Sequence, residues 1–360
     1  MYEPNLHYYL WYFIGVKFST PESTCKLIAE IGLSHEGSLG FAFKFIEASK
    51  KSGADMVKFQ YHIPEAESSK DESFRVKFSM QDENRWEYWK RTSFTLSEWK
   101  AIIKKCEAES IEFCVSVFSG AAALAMMSLG VKNIKLGSGD LNNSEIQEVL
   151  ATWKGNLFIS TGMATYKEID SAIGHFQNQL SSGKLTVFQC TSKYPTPLNE
   201  VGINVLEEIR EKWKVKVGLS DHSIGVDAAK VAICFGALFI EKHVVFSNDM
   251  FGPDVTSSIT FQEFRELSDF RYNFINIMNK VDKDEIAGHL ENERRIFGRS
   301  LGLKKAFKKG EIVGSDDFCF RKPAGGLSWE DRHGLVGKEL GRDVELGELI
   351  KLDYFILKDL

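Results

Sequence analysis

The feature of the sequence that most restricts its fold is a regular alternation of short apolar runs and segments of helical length between residues 26 and 280. Eight runs rich in β-branched and aromatic residues are predicted to be strands, at 26–31, 55–60, 112–118, 133–138, 156–161, 184–190, 215–220 and 238–246. This alternation predicts right-handed βαβ units and a parallel sheet. Eight such units in about 255 residues match a (β/α)8 barrel, also called a TIM barrel.

A doubly wound open sheet is the competing architecture. Such folds commonly carry a G-x-G-x-x-G string after the first strand, where it binds a dinucleotide. The nearest string here, GSGDLN at 137–142, lacks the third glycine and lies far from the first strand. The sequence therefore favours the barrel.

The pattern changes after residue 280. A charged, helix-prone stretch at 281–295 is followed by short runs separated by turn-forming strings, which predicts a small β-rich domain. We predict a barrel domain at 25–281, a linker at 282–296 and the small domain at 297–360. Residues 1–24 are predicted to be a non-catalytic extension, since their apolar run at 8–16 is shorter than the roughly 20 residues that span a bilayer.

Composition excludes several classes of protein. Hydrophobic residues at 43% and charged residues at 26% are normal for a globular protein and exclude a disordered chain. The formal net charge of −5 leaves no global basic field for nucleic acid. The six cysteines form no C-x-x-C pair, which favours a reducing, cytoplasmic location over a disulfide framework or a zinc ribbon.

Every predicted strand carries polar residues at or near its carboxyl end, where the active site of such a barrel lies. The candidates are Glu30, Lys58, Gln60, Ser116, Lys135, Ser138, Asp140, Ser160, Ser192, Tyr194, Ser220, His222 and His243.

Lysines inside apolar strands are costly unless their charge is neutralised. Lys58 and Lys135 both lie close to strand ends, so one anionic ligand, a phosphate or carboxylate, is predicted to neutralise both beside the hydroxyls of Ser138, Ser160 and Ser220. The alternative is that each lysine pairs with a carboxylate of the chain.

His222 and His243 end adjacent strands and could share one divalent metal, although a lone barrel histidine is more often simply packed. The adjacent Ser220, Asp221 and His222 also suggest a nucleophile triad. Consecutive residues of a strand point to opposite faces, so these three cannot act together.

Seven strings of this sequence together resemble the sialic acid synthase family, whose members condense phosphoenolpyruvate with an N-acetylmannosamine-type sugar to give a nonulosonic acid. They are IAEIGLSHEG (28–37), GADMVKFQ (53–60), KLGSGDLNN (135–143), STGM (160–163), QCTSKYPTP (189–197), GLSDH (218–222) and GPD (252–254). The tail, with KGE at 309–311 and RKPAGG at 321–326, resembles the antifreeze-like (SAF) domain that ends this family.

The resemblance implies roles for individual residues. Phosphoenolpyruvate would be bound by Lys58 and Lys135 with Ser116, Ser138 and Ser220, and a divalent metal, Mn²⁺ or Mg²⁺, by His222 and His243. The remaining expected substrate-binding residues are Ser160, Ser192 and Asp254, and the expected catalytic residues are Glu30, Asp140, Gln60 and Tyr194.

The resemblance also implies a domain-swapped homodimer, in which the small domain of one chain delivers Arg321 or Lys322 to the barrel of the other. No nucleic-acid or membrane partner is expected.

The expected reaction joins C3 of phosphoenolpyruvate to the sugar aldehyde, adds water at C2 and releases phosphate by C–O cleavage. Glu30 and Asp140 are the candidates for handling the proton of that water and for stabilising positive charge at C2, although Glu30 could instead serve as a partner of a lysine.

Many bacterial members have Glu and Asn where this chain has Asp140 and Ser192, whereas animal-type members resemble it at both positions. The sugar is therefore left open between N-acetylmannosamine, its 6-phosphate and a diacetamido-trideoxy sugar leading to legionaminic or pseudaminic acid.

Overall fold

The computed structural model describes residues 25–356, which form two compact units that divide between Met278 and Asn279. In the first unit, eight parallel strands pair in sequence order and β1 pairs with β8, so the sheet closes into a barrel. The strands are β1 (Lys26–Gly32), β2 (Met56–Tyr61), β3 (Glu112–Val117), β4 (Asn133–Leu136), β5 (Asn156–Ser160), β6 (Leu185–Cys190), β7 (Lys216–Asp221) and β8 (Phe239–Val245). A two-residue strand, β9 (Ile259–Thr260), extends the sheet beside β8.

Helices connect the barrel strands. They are α1 (Leu39–Lys51), α2 (Pro64–Glu67), α3 (Arg85–Thr92), α4 (Leu96–Ala108), α5 (Gly120–Ser128), α6 (Ser144–Ala151), α7 (Tyr166–His175), α8 (Gln177–Ser181), α9 (Asn204–Trp213), α10 (Asp227–Cys234) and α11 (Phe261–Ile277). Three of them, α4, α7 and α11, begin with a threonine and a glutamate that form a capping box, which satisfies backbone N–H groups of the first turn.

The main core lies between the outer faces of the strands and the helices. Inside the barrel, a separate apolar cluster is formed by Ile28, Met56, Cys114, Phe158 and Phe188. Two residues further along β1, β2, β3, β5 and β6, the same inward face carries Glu30, Lys58, Ser116, Ser160 and Cys190. The barrel thus has an apolar floor with a polar layer towards its carboxyl-terminal end.

Among the described residues, no helix is both long enough and apolar enough to cross a membrane.

The confirmed prediction is the TIM barrel, whose eight strands were placed to within about two residues at each end. The extension predicted at 1–24 lies outside the described residues, as do positions 357–360.

The second unit has its own small core, which includes Leu301, Phe318, Leu340, Val344 and Ile350. Its strands β10 (Ser300–Leu303) and β11 (Phe318–Arg321) are antiparallel, and isolated bridges such as Phe307 with Val344 add further β pairing. The short helix α14 (Arg332–Leu335) also belongs to the second unit.

The segment predicted as a linker, 282–296, is not extended. It folds into α12 (Lys283–His289) and α13 (Glu291–Phe297), which group with the second unit. Asp282 caps the first of these helices, since its carboxylate accepts hydrogen bonds from the backbone N–H groups of Asp284 and Glu285. The charged stretch described as helix-prone from its sequence is therefore helical in the structure.

The buried lysine of β8, Lys242, points out of the barrel, where its ammonium lies 2.9 Å from Asp221 Oδ2 and donates to the backbone carbonyl of Ser223. Its side chain is fully buried, and burial lowers the pKa of Lys242. Asp221 therefore balances a structural charge on the opposite face from His222 and takes no part in a triad.

This pair generates a stability prediction. Lys242→Met leaves the Asp221 carboxylate buried without its counter-charge, which should lower the free energy of unfolding by about 3–5 kcal/mol. The double variant Lys242→Met/Asp221→Asn should lose much less, because Asn can still accept the backbone hydrogen bond from Ser223. Urea denaturation monitored by circular dichroism measures both, and equal losses in the two variants would contradict the pairing.

Candidate functional site

A cavity of about 670 Å³ opens at the carboxyl-terminal end of the barrel strands. Fourteen of the sixteen predicted site residues line it: Glu30, Lys58, Gln60, Ser116, Lys135, Ser138, Asp140, Ser160, Ser192, Tyr194, Ser220, His222, His243 and Asp254. Arg321 and Lys322 belong to the second unit. Residues from all eight barrel units therefore converge on one space.

Both lysines of the cavity are paired with carboxylates. Lys58 Nζ lies 2.8 Å from Glu30 Oε2 and 3.6 Å from Glu241 Oε1, while Lys135 Nζ lies 2.7 Å from the same Glu241 oxygen. All four side chains are at most 4% exposed. The chain thus provides its own counter-charges, which is the alternative that the sequence left open.

Glu241 was not among the predicted site residues. It lies two residues before His243 on β8, so the two-residue period of a strand puts both on the inward face, and this signal was present in the sequence. Burial by itself would raise the pKa of Glu241, but the charges of Lys135 and Lys58 outweigh burial and hold the pKa well below its ordinary value. Burial by itself would lower the pKa of Lys58, but the nearby carboxylates of Glu241 and Glu30 outweigh burial and raise it.

Hydroxyl groups surround the lysines. Lys58 Nζ donates to Ser116 Oγ at 2.9 Å, and Lys135 Nζ is 3.3 Å from Ser220 Oγ. Ser138 Oγ accepts from the backbone N–H of Gly162 at 2.9 Å. Ser160 Oγ is buried and has no hydrogen-bond partner among the described residues, so its hydroxyl remains available to a ligand.

The two predicted metal-binding histidines lie next to each other, with ring centroids 5.6 Å apart. His222 Nδ1 is 3.0 Å from the backbone carbonyl of Thr191, so Nδ1 carries the hydrogen and Nε2 keeps its lone pair. Burial, and then the neighbouring His243, lower the pKa of His222 to about 3, which keeps the ring neutral. The Tyr194 ring stacks on His222 at 4.0 Å.

Asp140 occupies a short 3-10 turn, Ser138–Asp140, directly after β4. Burial raises the pKa of Asp140, while a hydrogen bond from Asn143 acts in the opposite direction. Gln60 donates from Nε2 to Glu30 Oε1 at 2.8 Å. The Asp140 carboxyl group is therefore biased towards holding a proton, whereas the Glu30 carboxylate is held in place by the Lys58 ammonium and the Gln60 amide.

The outer wall of the cavity is built from the segment between α2 and α4, which the sequence analysis did not include in the site. It is partly aromatic, since Phe74, Phe78, Tyr88 and Trp89 pack with Leu33. Two arginines of the same segment also line the cavity and are both paired. Arg75 lies 3.0 Å from Asp254 and over the Tyr194 ring, and Arg85 lies 2.6 Å from Glu72.

Comparison with known proteins gives the family. Residues 45–283 match the model of the NeuB family. The chain is 32% identical over 330 residues to the pseudaminic acid synthase of Campylobacter jejuni strain 81-176, an alignment covering 90% of this chain and 95% of that protein. It is 30% identical over 332 residues to the N,N'-diacetyllegionaminic acid synthase of C. jejuni strain NCTC 11168, covering 90% and 98% respectively.

Among solved structures, the sialic acid synthetase of Leptospira borgpetersenii superposes with a TM-score of 0.64 at 23% identity, covering 76% of this chain and 93% of that one. This likeness supports the barrel fold. The family match and the two relatives at 30% identity or more extend over most of the sequence. The chain belongs to the NeuB family, the family of the sialic acid synthases.

Proposed function

We propose that this protein is a nonulosonic acid synthase, which condenses phosphoenolpyruvate with an unphosphorylated N-acetylated amino sugar. The observation that carries the proposal is the pair of buried lysines, Lys58 and Lys135, in the polar layer of the barrel. They line the same cavity as Ser160, whose hydroxyl has no hydrogen-bond partner among the described residues. Phosphoenolpyruvate carries a phosphate and a carboxylate close together, which matches two ammonium groups that lie 3.6 and 2.7 Å from one Glu241 oxygen.

The reaction forms a bond between C3 of phosphoenolpyruvate and the aldehyde carbon of the sugar, whose oxygen takes up a proton. Water adds at C2 and loses one proton. The C2–O bond to phosphate then breaks as the new C2 hydroxyl becomes the carbonyl of the product and gives its proton to the departing phosphate. Asp140, whose pKa is raised by burial, supplies the proton to the sugar oxygen. Glu30, held by Gln60 and Lys58, stabilises positive charge at C2 and accepts the proton of the water.

The chain's own residues fit a divalent metal, Mn²⁺ or Mg²⁺, at His222 and His243. His222 presents a neutral imidazole with a free Nε2, and the His243 ring lies beside it with the ring centroids 5.6 Å apart. Two protein ligands would leave the remaining coordination positions of such a metal to substrate and water, as Mg²⁺ sites commonly do. When bound, such a metal supplies Lewis-acid polarisation of the sugar aldehyde.

The charge balance of the cavity favours an uncharged sugar. The described lysines and arginines that line it are Lys58, Lys135, Arg75 and Arg85, and each is already paired with a carboxylate. Glu67, another acidic residue of the lining, contacts His62 at 2.6 Å, so this pair adds no free cation either. Once phosphoenolpyruvate occupies the lysines, a 6-phosphate would have to displace Asp254 from Arg75 or Glu72 from Arg85 to gain a cation of this cavity.

A diacetamido-trideoxy sugar is a second candidate substrate. The aromatic wall of Phe74, Phe78, Tyr88 and Trp89 offers apolar surface to acetyl and deoxy methyl groups. The relatives from C. jejuni named for pseudaminic and diacetyllegionaminic acid support the same choice.

The protein is also proposed to act in the cytoplasm as a homodimer. Its six cysteines are all free thiols, as a reducing compartment requires. In the second unit, proposed to be an antifreeze-like domain, Arg321 donates to the carbonyl of Leu303, whereas Lys322 is exposed with its ammonium 5.2 Å from the Phe297 ring centroid. Either residue could act on the barrel of a partner chain.

A substrate panel tests the reaction. We expect phosphate release from phosphoenolpyruvate with N-acetylmannosamine or a diacetamido-trideoxy hexose, and a kcat/KM for N-acetylmannosamine 6-phosphate lower by about tenfold or more, equivalent to about 1.4 kcal/mol. Mass spectrometry identifies the acid formed.

Glu72→Gln provides the matched variant, because it removes the carboxylate that is paired with Arg85. In this variant the difference in kcat/KM between the unphosphorylated sugar and its 6-phosphate should become smaller. No phosphate release with any sugar would contradict the synthase, and equal use of the 6-phosphate by the unaltered protein would contradict the charge argument.

Removal of either metal-binding histidine should abolish turnover. His222→Ala and His243→Ala are each expected to lose activity while keeping the circular dichroism spectrum, and chelation of the unaltered protein should do the same until Mn²⁺ is restored. His175→Ala, at an exposed position on α7, is the matched control and should stay active. Activity that survives exhaustive chelation would refute the metal assignment.

Complementation tests the dimer. A chain with Arg321→Ala/Lys322→Ala mixed with a His222→Ala chain should regain activity, because the intact second unit of one chain serves the intact barrel of the other. Activity of the mixture is compared with each variant alone after heterodimers are verified by differential tagging. Verified heterodimers without regained activity would exclude action between chains.

A further inference from the structure

His62 is a buried residue of the cavity wall to which the proposed function gives no role. It follows β2 and lines the same cavity as Lys58 and Gln60, to which it is related by the two-residue period of the strand. Its ring lies between two aromatic rings and nearly parallel to both. The centroid distances are 4.6 Å to Trp89 and 4.2 Å to Phe118, with interplanar angles of 10° and 11°.

The hydrogen bonds of Gln60 fix the proton on one nitrogen of His62. Glu30 is paired with the Lys58 ammonium and is therefore a carboxylate, which only accepts hydrogen bonds. Gln60 must present its NH2 group to Glu30, and does so at 2.8 Å. Its carbonyl oxygen then faces His62 Nε2 at 3.2 Å, so Nε2 must carry a hydrogen.

The other nitrogen of His62 also shares a proton. Nδ1 lies 2.6 Å from Glu67 Oε1, a distance at which two lone pairs cannot meet without a hydrogen between them. Glu67 Oε2 is buried and has no hydrogen-bond partner among the described residues, so His62 is the group that compensates this carboxylate. The two side chains together hold one proton more than a neutral histidine beside an ionised glutamate.

The surroundings of His62 favour placing that proton on the ring. The faces of Trp89 and Phe118 carry partial negative charge, which attracts a cation held between them. Glu67 provides the counter-charge at contact distance. Three further ionisable groups lie nearby. Asp140 is acidic, and His35 is buried and neutral because burial, and then His62, lower its pKa to about 3. The Arg85 guanidinium also lies over the Trp89 ring, at 4.4 Å from its centroid, and is paired with Glu72.

We propose that His62 is an imidazolium paired with Glu67, and that it serves the synthase as a positioning residue. Its Nε2–H fixes the Gln60 amide in the one orientation that donates to Glu30, and Gln60 in turn fixes Glu30 beside Lys58. The role in turnover rests on the proposed function, whereas the protonation of the ring does not.

Nuclear magnetic resonance of protein labelled with ¹⁵N in its histidine rings tests the protonation near neutral pH. The signal of His62 is assigned by its loss in His62→Phe/Glu67→Met, which keeps a flat ring between Trp89 and Phe118 and removes both members of the pair. We expect both ring nitrogens of His62 to be protonated. In Glu67→Gln, the new amide donates to Nδ1, so Nδ1 should lose its hydrogen while Nε2 keeps it. An unprotonated nitrogen in the unaltered protein would overturn the proposal.

Kinetics test the positioning role. His62→Phe/Glu67→Met should lower kcat by about tenfold or more with a smaller change in KM for phosphoenolpyruvate, because Gln60 and Glu30 lose their fixed orientation. Glu67→Gln keeps the Nε2–H bond to Gln60 and should keep most of kcat. Equal losses in both variants, or no loss in either, would overturn the role. Absence of activity in the unaltered protein would instead refute the proposed function, and the resonance experiment would still decide the charge of His62.

Discussion

The site depends on one interaction, the pairing of two buried lysines with two buried carboxylates inside the barrel. Lys58 and Lys135 share Glu241, and Glu30 completes the pairing from β1. Removing four charged groups from water is unfavourable, and apolar residues of similar volume often stabilise a protein as well or better. The cluster is therefore better explained by ligand binding than by stability. In the proposed reaction, phosphoenolpyruvate would replace Glu30 and Glu241 as the partner of the two ammonium groups.

The fold could be predicted closely from sequence because strands of a parallel barrel are buried on both faces. They appear as continuous apolar runs, and the polar residues that interrupt them mark the inward face near the carboxyl end. Lys58, Lys135 and His222 could be found in this way. The same period could have found Glu241, two residues from His243, and His62, two residues from Gln60.

Which side chains meet across the barrel was not predictable in the same way. Lys135 on β4 contacts Glu241 on β8, and these strands are on opposite sides of the closed sheet, so neither neighbours in sequence nor strand register bring them together. The aromatic wall was missed for another reason. Phe74 and Phe78 lie in an irregular segment between α2 and α3, where no period relates sequence position to direction.

A crystal structure with phosphoenolpyruvate bound tests the central claim most directly. The account predicts that the phosphate and carboxylate of the ligand lie within hydrogen-bonding distance of Lys58 and Lys135, with the hydroxyl of Ser160 directed at the ligand. Phosphoenolpyruvate bound elsewhere in the cavity, with the contacts of both lysines to Glu30 and Glu241 unchanged and Ser160 still unpartnered, would contradict it.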